Sequence, residues 1–255
     1  MALSRGAQEH YEGLADQYDE HWDYRPGYVP WMAARITEAL QLTDGDRIAD
    51  IGCGTGLFAR EVQAAVRPVK PVLCVDPSAA MLRQIAEPSP TGLRPIRASA
   101  EDVAGGRVVL PYDRLDALWV KEAVHHFDDP TRTLRGLAGL LAPGGRLLVV
   151  MMPATIAYPL FEAALKRYEE LQPDPRDIAR QLEEVGLRVD VSYVEHELRI
   201  PRERYIDMVR ARYMSVLSSF SEGEIESGVE EIKTAHTHGE LVFPDRFAFV
   251  RGVVA

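Results

Sequence analysis

Ile48-Ala49-Asp50-Ile51-Gly52-Cys53-Gly54-Thr55-Gly56 is an apolar run holding one acid, followed by glycine at every second position. It reads as the end of a first parallel strand turning into a ligand loop. Glycine takes positive φ without steric cost and, lacking Cβ, lets backbone lie directly against a ligand. Asp50 puts a negative charge beside that bare wall, and a helix is expected from residue 57 to 66, where the glycines stop. Open α/β sheets bind ligands at this carboxyl edge of the strands. The spacing departs from the dinucleotide fingerprint G-x-G-x-x-G and lacks the G-K-[ST] ending of a phosphate-cradling loop, which weakens both nucleotide readings.

Working outward, residues 71–76 form a short apolar run ending in Asp76, read as strand two, and a helix follows at 77–86 with Met81, Leu82 and Ile85 inward. Strands are expected at 93–98, 113–120 and 144–152, with a helix at 130–141. Near-continuous apolar strands alternating with helices predict a parallel sheet covered on both faces. Upstream, residues 9–22 carry Tyr11, Leu14, Ala15, Tyr18 and Trp22 at helical spacing, and a second helix is expected at 29–40 beyond the break at Arg25-Pro26.

Beyond Pro153 the pattern changes to helices at 158–171 and 176–185 and a strand at 187–200. One amphipathic helix is expected over 201–220, then another after the capping-box pattern Ser221-Glu222-Gly223-Glu224, and a last strand at 246–254. The expected organisation is a single domain: lid helices in 1–42, a cofactor-binding core in 43–153 and a substrate-side region in 154–255, with a helical insertion at about 201–238.

The chain has 255 residues, 46% of them apolar, enough for a substantial core. A formal charge of -10 disfavours phosphate backbones and anionic lipid, so the expectation is a small-molecule partner and neither nucleic acid nor membrane. No stretch approaches the length of an apolar membrane span and the N-terminus lacks the apolar core of a signal peptide, so the protein is expected to be soluble and cytoplasmic. Separately, a monomer or homodimer is expected. Two cysteines, Cys53 and Cys74, are too few for a disulfide framework or a zinc site and read as small buried filler. His236 and His238, without nearby acids or cysteines, predict no metal.

The separation of Gly56 and Asp76 is twenty residues, at which an acid on strand two meets a ribose in Rossmann-like folds. Ser99-Ala100-Glu101-Asp102 stands after the third strand, where an adenine edge would be read. Together, residues 50–56, Val75-Asp76-Pro77-Ser78, residues 98–102 and Leu141-Ala142-Pro143-Gly144-Gly145-Arg146-Leu147 resemble the successive motifs of class I S-adenosylmethionine-dependent methyltransferases of the small-molecule-acting type. The match covers about two thirds of the chain, and four motifs in order are more specific than the glycine loop alone.

The resemblance implies a Rossmann-like seven-stranded α/β sheet, mostly parallel with an antiparallel last strand, with an N-terminal helical lid and a helical cap. It implies S-adenosylmethionine as cofactor, held by Gly52, Cys53, Gly54 and Gly56, with Asp50 alongside. Asp76 would take both ribose hydroxyls, Ala100 and Glu101 would edge the adenine, and Pro77 or Met81 would lie on its face. Tyr11, Tyr18 and Arg25 resemble family elements that hold the cofactor's carboxylate, for which a guanidinium fork is suited; core packing of an amphipathic helix is the other reading of the two tyrosines.

Residues 120–130, Val-Lys-Glu-Ala-Val-His-His-Phe-Asp-Asp-Pro, end strand four. In the resembling family this position faces the departing methyl group. Glu122, His125 and His126 are the candidate bases, His125 ahead of His126, and a base is needed only if the acceptor must lose a proton. Lys121 is grouped with the cofactor residues, as half of a pair with Glu122 that shapes the pocket.

The insertion concentrates Arg202, Arg204, Tyr205, Arg210, Arg212 and Tyr213. Tyr158, Tyr205, Arg210 and Tyr213 are taken as substrate-binding residues, and arginines facing the pocket would make an anionic acceptor such as a carboxylate or phosphate suitable. A natural-product acceptor fits, with oxygen, nitrogen or carbon as the methylated atom left open. The alternative is an S-adenosylmethionine-binding cyclase or rearrangement catalyst without net methyl transfer.

Overall fold

Short runs of apolar residues with no polar alternation become strands buried on both faces. β1 (Ile48–Ile51) and β2 (Val72–Asp76) expose no residue at all. The structure, a computed structural model, describes residues 27–85, 92–237 and 239–255. The helix expected at 9–22, with Tyr11 and Tyr18, and Arg25 and His238, lie outside the described residues.

In chain order the described elements begin with α1 (Tyr28–Leu40), β1, α2 (Leu57–Val66), β2, α3 (Ala79–Leu82), β3 (Leu93–Arg97) and α4 (Ala100–Ala104). They continue with β4 (Leu115–Lys121), α5 (Pro130–Ala138), β5 (Leu141–Met151), α6 (Glu162–Leu171), α7 (Pro175–Glu184) and β6 (Leu187–Pro201). The chain then forms α8 (Arg202–Arg210), α9 (Glu222–Ala235) and β7 (Glu240–Val254). No helix among the described residues is long and apolar enough to cross a membrane.

The strands form one seven-stranded sheet in the order β3-β2-β1-β4-β5-β7-β6. β1 to β5 pair in parallel, and β7 runs antiparallel to β5. The order reverses at β1, with β2 to one side and β4 to the other, so the carboxyl ends of these strands open a crevice at the switch point.

The chain divides into two compact units. The first holds 27–151 of the described residues, with Pro175–Ser192 and Ala248–Ala255. Its sheet buries alternate residues on opposite faces: Ala49, Leu73, Leu118 and Val149 pack with Val103, Leu134, Leu137, Ile178 and Leu182 of α4, α5 and α7. Helices α1 and α2 pack on each other, contributing Met32, Ile36, Leu40, Phe58 and Val62 to the buried apolar set. Arg47 binds Asp116 with both ends of its guanidinium, at 2.8 and 2.9 Å, and Arg146 reaches Asp46 at 2.8 Å and the Leu40 carbonyl at 2.9 Å.

The second unit comprises Met152–Asp174 and Tyr193–Phe247. It corrects three expected boundaries, the first being the helix expected from 158, which begins at Glu162. The helix expected over 201–220 ends at Arg210: Arg212 takes a left-handed φ of 54° and donates to the Phe220 carbonyl, and Ser215–Ser219 turns as a separate short 3-10 helix. Its apolar stripe survives the break, with Ile206 and Val209 buried on α8 and Val216 and Leu217 buried on the short turn. The last strand starts at Glu240, not 246, because burial alternates through Leu241, Phe243, Asp245 and Phe247 while Pro244 takes an outward position. The expected capping box of α9 is present, with Ser221 Oγ accepting from Glu224 N at 3.4 Å and Glu224 accepting from Ser221 N at 2.7 Å.

Candidate cofactor cleft

The glycine loop is fixed from behind by strand β2. The Gly52 and Cys53 N–H groups both donate to the Val75 carbonyl, at 2.8 and 3.0 Å, so the chain leaves β1 without leaving the sheet edge. Gly52, Gly54 and Gly56 have φ of 77°, 56° and 75°, a left-handed conformation at three alternate positions. Space is equally restrictive: a Cβ on Gly52 would lie 2.6 Å from the Ala123 Cβ, and one on Gly56 would lie 2.8 Å from the Ile85 side chain.

Asp76, at the end of β2, closes the loop. Its Oδ2 accepts from Gly54 N at 2.9 Å and its Oδ1 from Ser78 N at 2.8 Å. A carboxylate has about four lone-pair sites, so each oxygen keeps capacity for a ligand hydroxyl. Burial raises the Asp76 pKa, and the two backbone bonds oppose that rise. Ser78 caps α3 by accepting from Met81 N at 3.3 Å, placing Pro77 and Met81 on the same wall. After β3, a capping box between Ser99 and Asp102 starts α4 and sets Ala100 and Glu101 on the cleft.

Asp50 is 3% exposed, and burial, then the charge of Asp76, push its carboxyl up to about 8, against the lowering influence of Lys121. Lys121 ends β4 with its ammonium 4.3 Å from the Phe58 ring centroid, an arrangement that compensates part of its desolvation. Glu122 follows with a φ of 51° and its N–H on the Val150 carbonyl at 2.8 Å. His125 and His126 lie on a single 3-10 turn, ring centroids 4.0 Å apart. Burial, then the neighbouring His126, pull His125 down to about 3, and burial lowers His126. Both therefore favour the neutral imidazole.

These residues line one cleft of about 630 Å³, within the usual range of small-molecule sites. The structure brings Asp50, Gly52, Cys53, Gly54, Asp76, Pro77, Met81, Ala100, Glu101, Lys121, Glu122 and His126 onto its wall, together with Asp102 and Asp128. Gly56 stands just behind, starting α2, and His125, the first-ranked base from the sequence, is not among the lining residues. Sequence reading passed over Phe58, Arg97, Arg107 and Phe127, which also line it. The period of α2 marks Phe58 as a core position, and nothing in the sequence distinguishes a core position from a cleft wall. The described residues contain no group of three or more His, Cys, Asp and Glu arranged to hold a metal.

Residues 49–147, which contain every residue lining this cleft, match the family model described as "Methyltransferase domain". Over that stretch, about two fifths of the chain, the sequence is similar to methyltransferase domains. An uncharacterised methyltransferase of Mycobacterium tuberculosis is 31% identical over 132 residues, covering 52% of this chain and 61% of that protein. The 27-O-demethylrifamycin SV methyltransferase of Amycolatopsis mediterranei is 30% identical over 189 residues, covering 63% of each. The chain thus spans about three fifths of the length of these curated relatives. A putative methyltransferase from an antibiotic biosynthesis pathway of Anabaena variabilis superposes with a TM-score of 0.65 over 87% of this chain and 96% of that one, at 17% identity, a likeness of fold.

S-adenosylmethionine is the cofactor of the class I methyltransferases that the sequence resembles, and the cleft fits it: a side-chain-free cradle beside a buried acid whose two oxygens are each held by a backbone N–H. In the second unit, the residues expected to bind substrate are all engaged within that unit. The Tyr158 hydroxyl bonds Asp245, and the Tyr205 and Tyr213 hydroxyls lie 3.0 Å apart. Arg210 makes two bonds to Glu226, at 2.9 and 3.1 Å. Arg202 meets Glu203 and donates to the His236 and Lys233 carbonyls at the end of α9.

Proposed function

We propose that the protein transfers a methyl group from S-adenosylmethionine to a small-molecule acceptor. The observation that carries this reading is the arrangement at Asp76: a buried carboxylate, oriented by Gly54 and Ser78, beside a glycine loop that admits no Cβ at Gly52 or Gly56. Asp76 would hold the ribose and Gly52 to Gly56 the adjoining part of the cofactor. Ala100 and Glu101 would bound the adenine, with Pro77 and Met81 on its face. The rifamycin-modifying relative supports a small-molecule acceptor, as does a net charge of -10, which disfavours nucleic acid. Tyr11, Tyr18 and Arg25 remain proposed holders of the cofactor's carboxylate.

The bound cofactor supplies an electrophilic methyl on a sulfonium. What the chain supplies is alignment, since in-line displacement requires nucleophile and methyl to be held at roughly 3 to 3.5 Å. Glu122 and His126, both on the cleft wall, are the groups placed to receive a proton. Release of S-adenosylhomocysteine in the presence of a panel of phenols, amines and carbon acids tests the reading. Stoichiometric release with acceptor methylation is expected. Acceptor conversion without it would contradict methyl transfer and favour the cyclase or rearrangement alternative.

A further inference from the structure

Between β4 and α5 the chain crosses the cleft wall as one short turn, and His126, Phe127 and Asp128 of that turn line the cleft. Its first donors are met locally: His126 N donates to the Ala123 carbonyl at 3.0 Å and Phe127 N to the Val124 carbonyl at 3.2 Å. Phe127 then goes extended, with φ of -71° and ψ of 131°, which carries the next N–H away from the turn. That donor, Asp128 N, meets a side chain 27 residues upstream, Glu101 Oε1 at 3.3 Å. A backbone N–H outside regular structure needs such a partner, and a carboxylate is a stronger acceptor than a backbone carbonyl.

The bond joins two braced pieces. Glu101 stands in the first turn of α4, which is fixed by the Ser99–Asp102 capping box and by Arg107 on Asp102 at 2.6 Å. That helix lies against α5 backbone to backbone, since a Cβ on Gly136 would meet the Ala104 carbonyl. On the other side, the start of the turn abuts the glycine loop, where the Ala123 Cβ takes the space of any side chain on Gly52. Asp129 accepts from Arg132 N at 3.0 Å and starts α5. The turn is thus pinned at its beginning by packing on the glycine loop, and at its end by Glu101 and the cap of α5.

Resting on the methyltransferase reading, we infer that Glu101 is a positioning residue: through the Asp128 N–H it holds the turn that carries His126 and Phe127, and so ties that wall to the one proposed to bound the adenine. Seating the adenosine against Ala100 and Glu101 then steadies the turn as well, because the ligand and Asp128 share one side chain. The coupling is reciprocal, as any free energy shared between two groups must be. Without the bond, the adenine wall stays in place and its occupancy no longer reaches His126.

Amide hydrogen exchange over residues 124–129, with and without saturating S-adenosylhomocysteine, tests this. In the wild type the ligand is expected to slow exchange there about tenfold, the order expected for one charge-assisted hydrogen bond. Glu101→Ala, at ligand concentrations that calorimetry shows to be saturating, should lose this slowing, and Glu101→Gln should recover it, since an amide oxygen accepts the same N–H. Asp128→Pro removes the donor and keeps Glu101. Phe127 already has the extended backbone that precedes a proline, so this variant should lose the slowing over 124–127 too. A bond that only stabilised the fold would lower Tm in Glu101→Ala and leave the ligand-dependent slowing intact. That result, an absence of slowing in the wild type, or a Glu101→Gln that behaves as Glu101→Ala would overturn the inference and leave the methyltransferase reading standing. If Glu101→Ala does not fold, Asp128→Pro decides by the same outcomes. Failure of the wild type to bind S-adenosylhomocysteine would overturn both.

Discussion

Asp50 and Asp76 are neighbouring buried acids with different surroundings. Asp76 has two backbone donors, whereas burial dominates at Asp50 and lifts its carboxyl to about 8. The folded state then keeps a proton that the unfolded chain loses near pH 4, where a free aspartate titrates. Folded protein binds the extra proton throughout that interval, so stability falls as pH rises from about 4 to 8 and levels off above. Asp50→Asn should flatten this decline, measured as Tm across the range, and an unchanged slope would contradict it. His125, drawn down to about 3, is neutral at every ordinary assay pH. The rate profile should therefore lack a limb near 6.5 attributable to it, and such a limb abolished by His125→Ala would refute this. At this scale the acids of the cleft were legible because spacing marks them: Asp76, twenty residues after Gly56, then Glu101. The order of the two histidines was not, since both fall on one short turn, where sequence spacing does not tell which ring meets the cleft.

Helix α9 was legible in both start and stripe, because the Ser221 to Glu224 pattern is local chemistry. What the stripe does not reveal is the closeness of the packing. A Cβ on Gly228 would meet the Phe161 ring at 2.3 Å, and that ring is already edge-on to Phe220 at a centroid distance of 5.1 Å. Gly228→Ala should therefore destabilise by about 1–3 kcal/mol through overpacking, read by denaturant titration. Helix propensity alone gives the opposite sign, a gain of about 1 kcal/mol, so a stabilised variant would show the contact to be loose. The break after Arg210 escaped sequence reading because the apolar positions continue at helical spacing through Phe220; a left-handed residue at Arg212 leaves that pattern intact. The early start of β7 escaped it for the reverse reason. Pro244 looks like an interruption, yet the period of two runs through it, with Asp245 inward and bonded to Tyr158.

For the molecule as a whole, the rhythm of strand and helix made the sheet legible from β1 to β5, and the resemblance supplied the antiparallel strand that completes it. Pro175–Ser192 and Ala248–Ala255 group with the sheet although they are distant in sequence, because β7 pairs with β5 from across the insertion and β6 follows it in the strand order. In the proposed function this sheet edge holds S-adenosylmethionine through Asp76 and the glycine loop. Calorimetric titration of the wild type and Asp76→Ala with the cofactor tests it most directly. One site per chain is expected in the wild type, and affinity about tenfold or more weaker in the variant, from the loss of charge-assisted bonds to the ribose. Equal affinity in the two proteins, or no binding to the wild type, would contradict it.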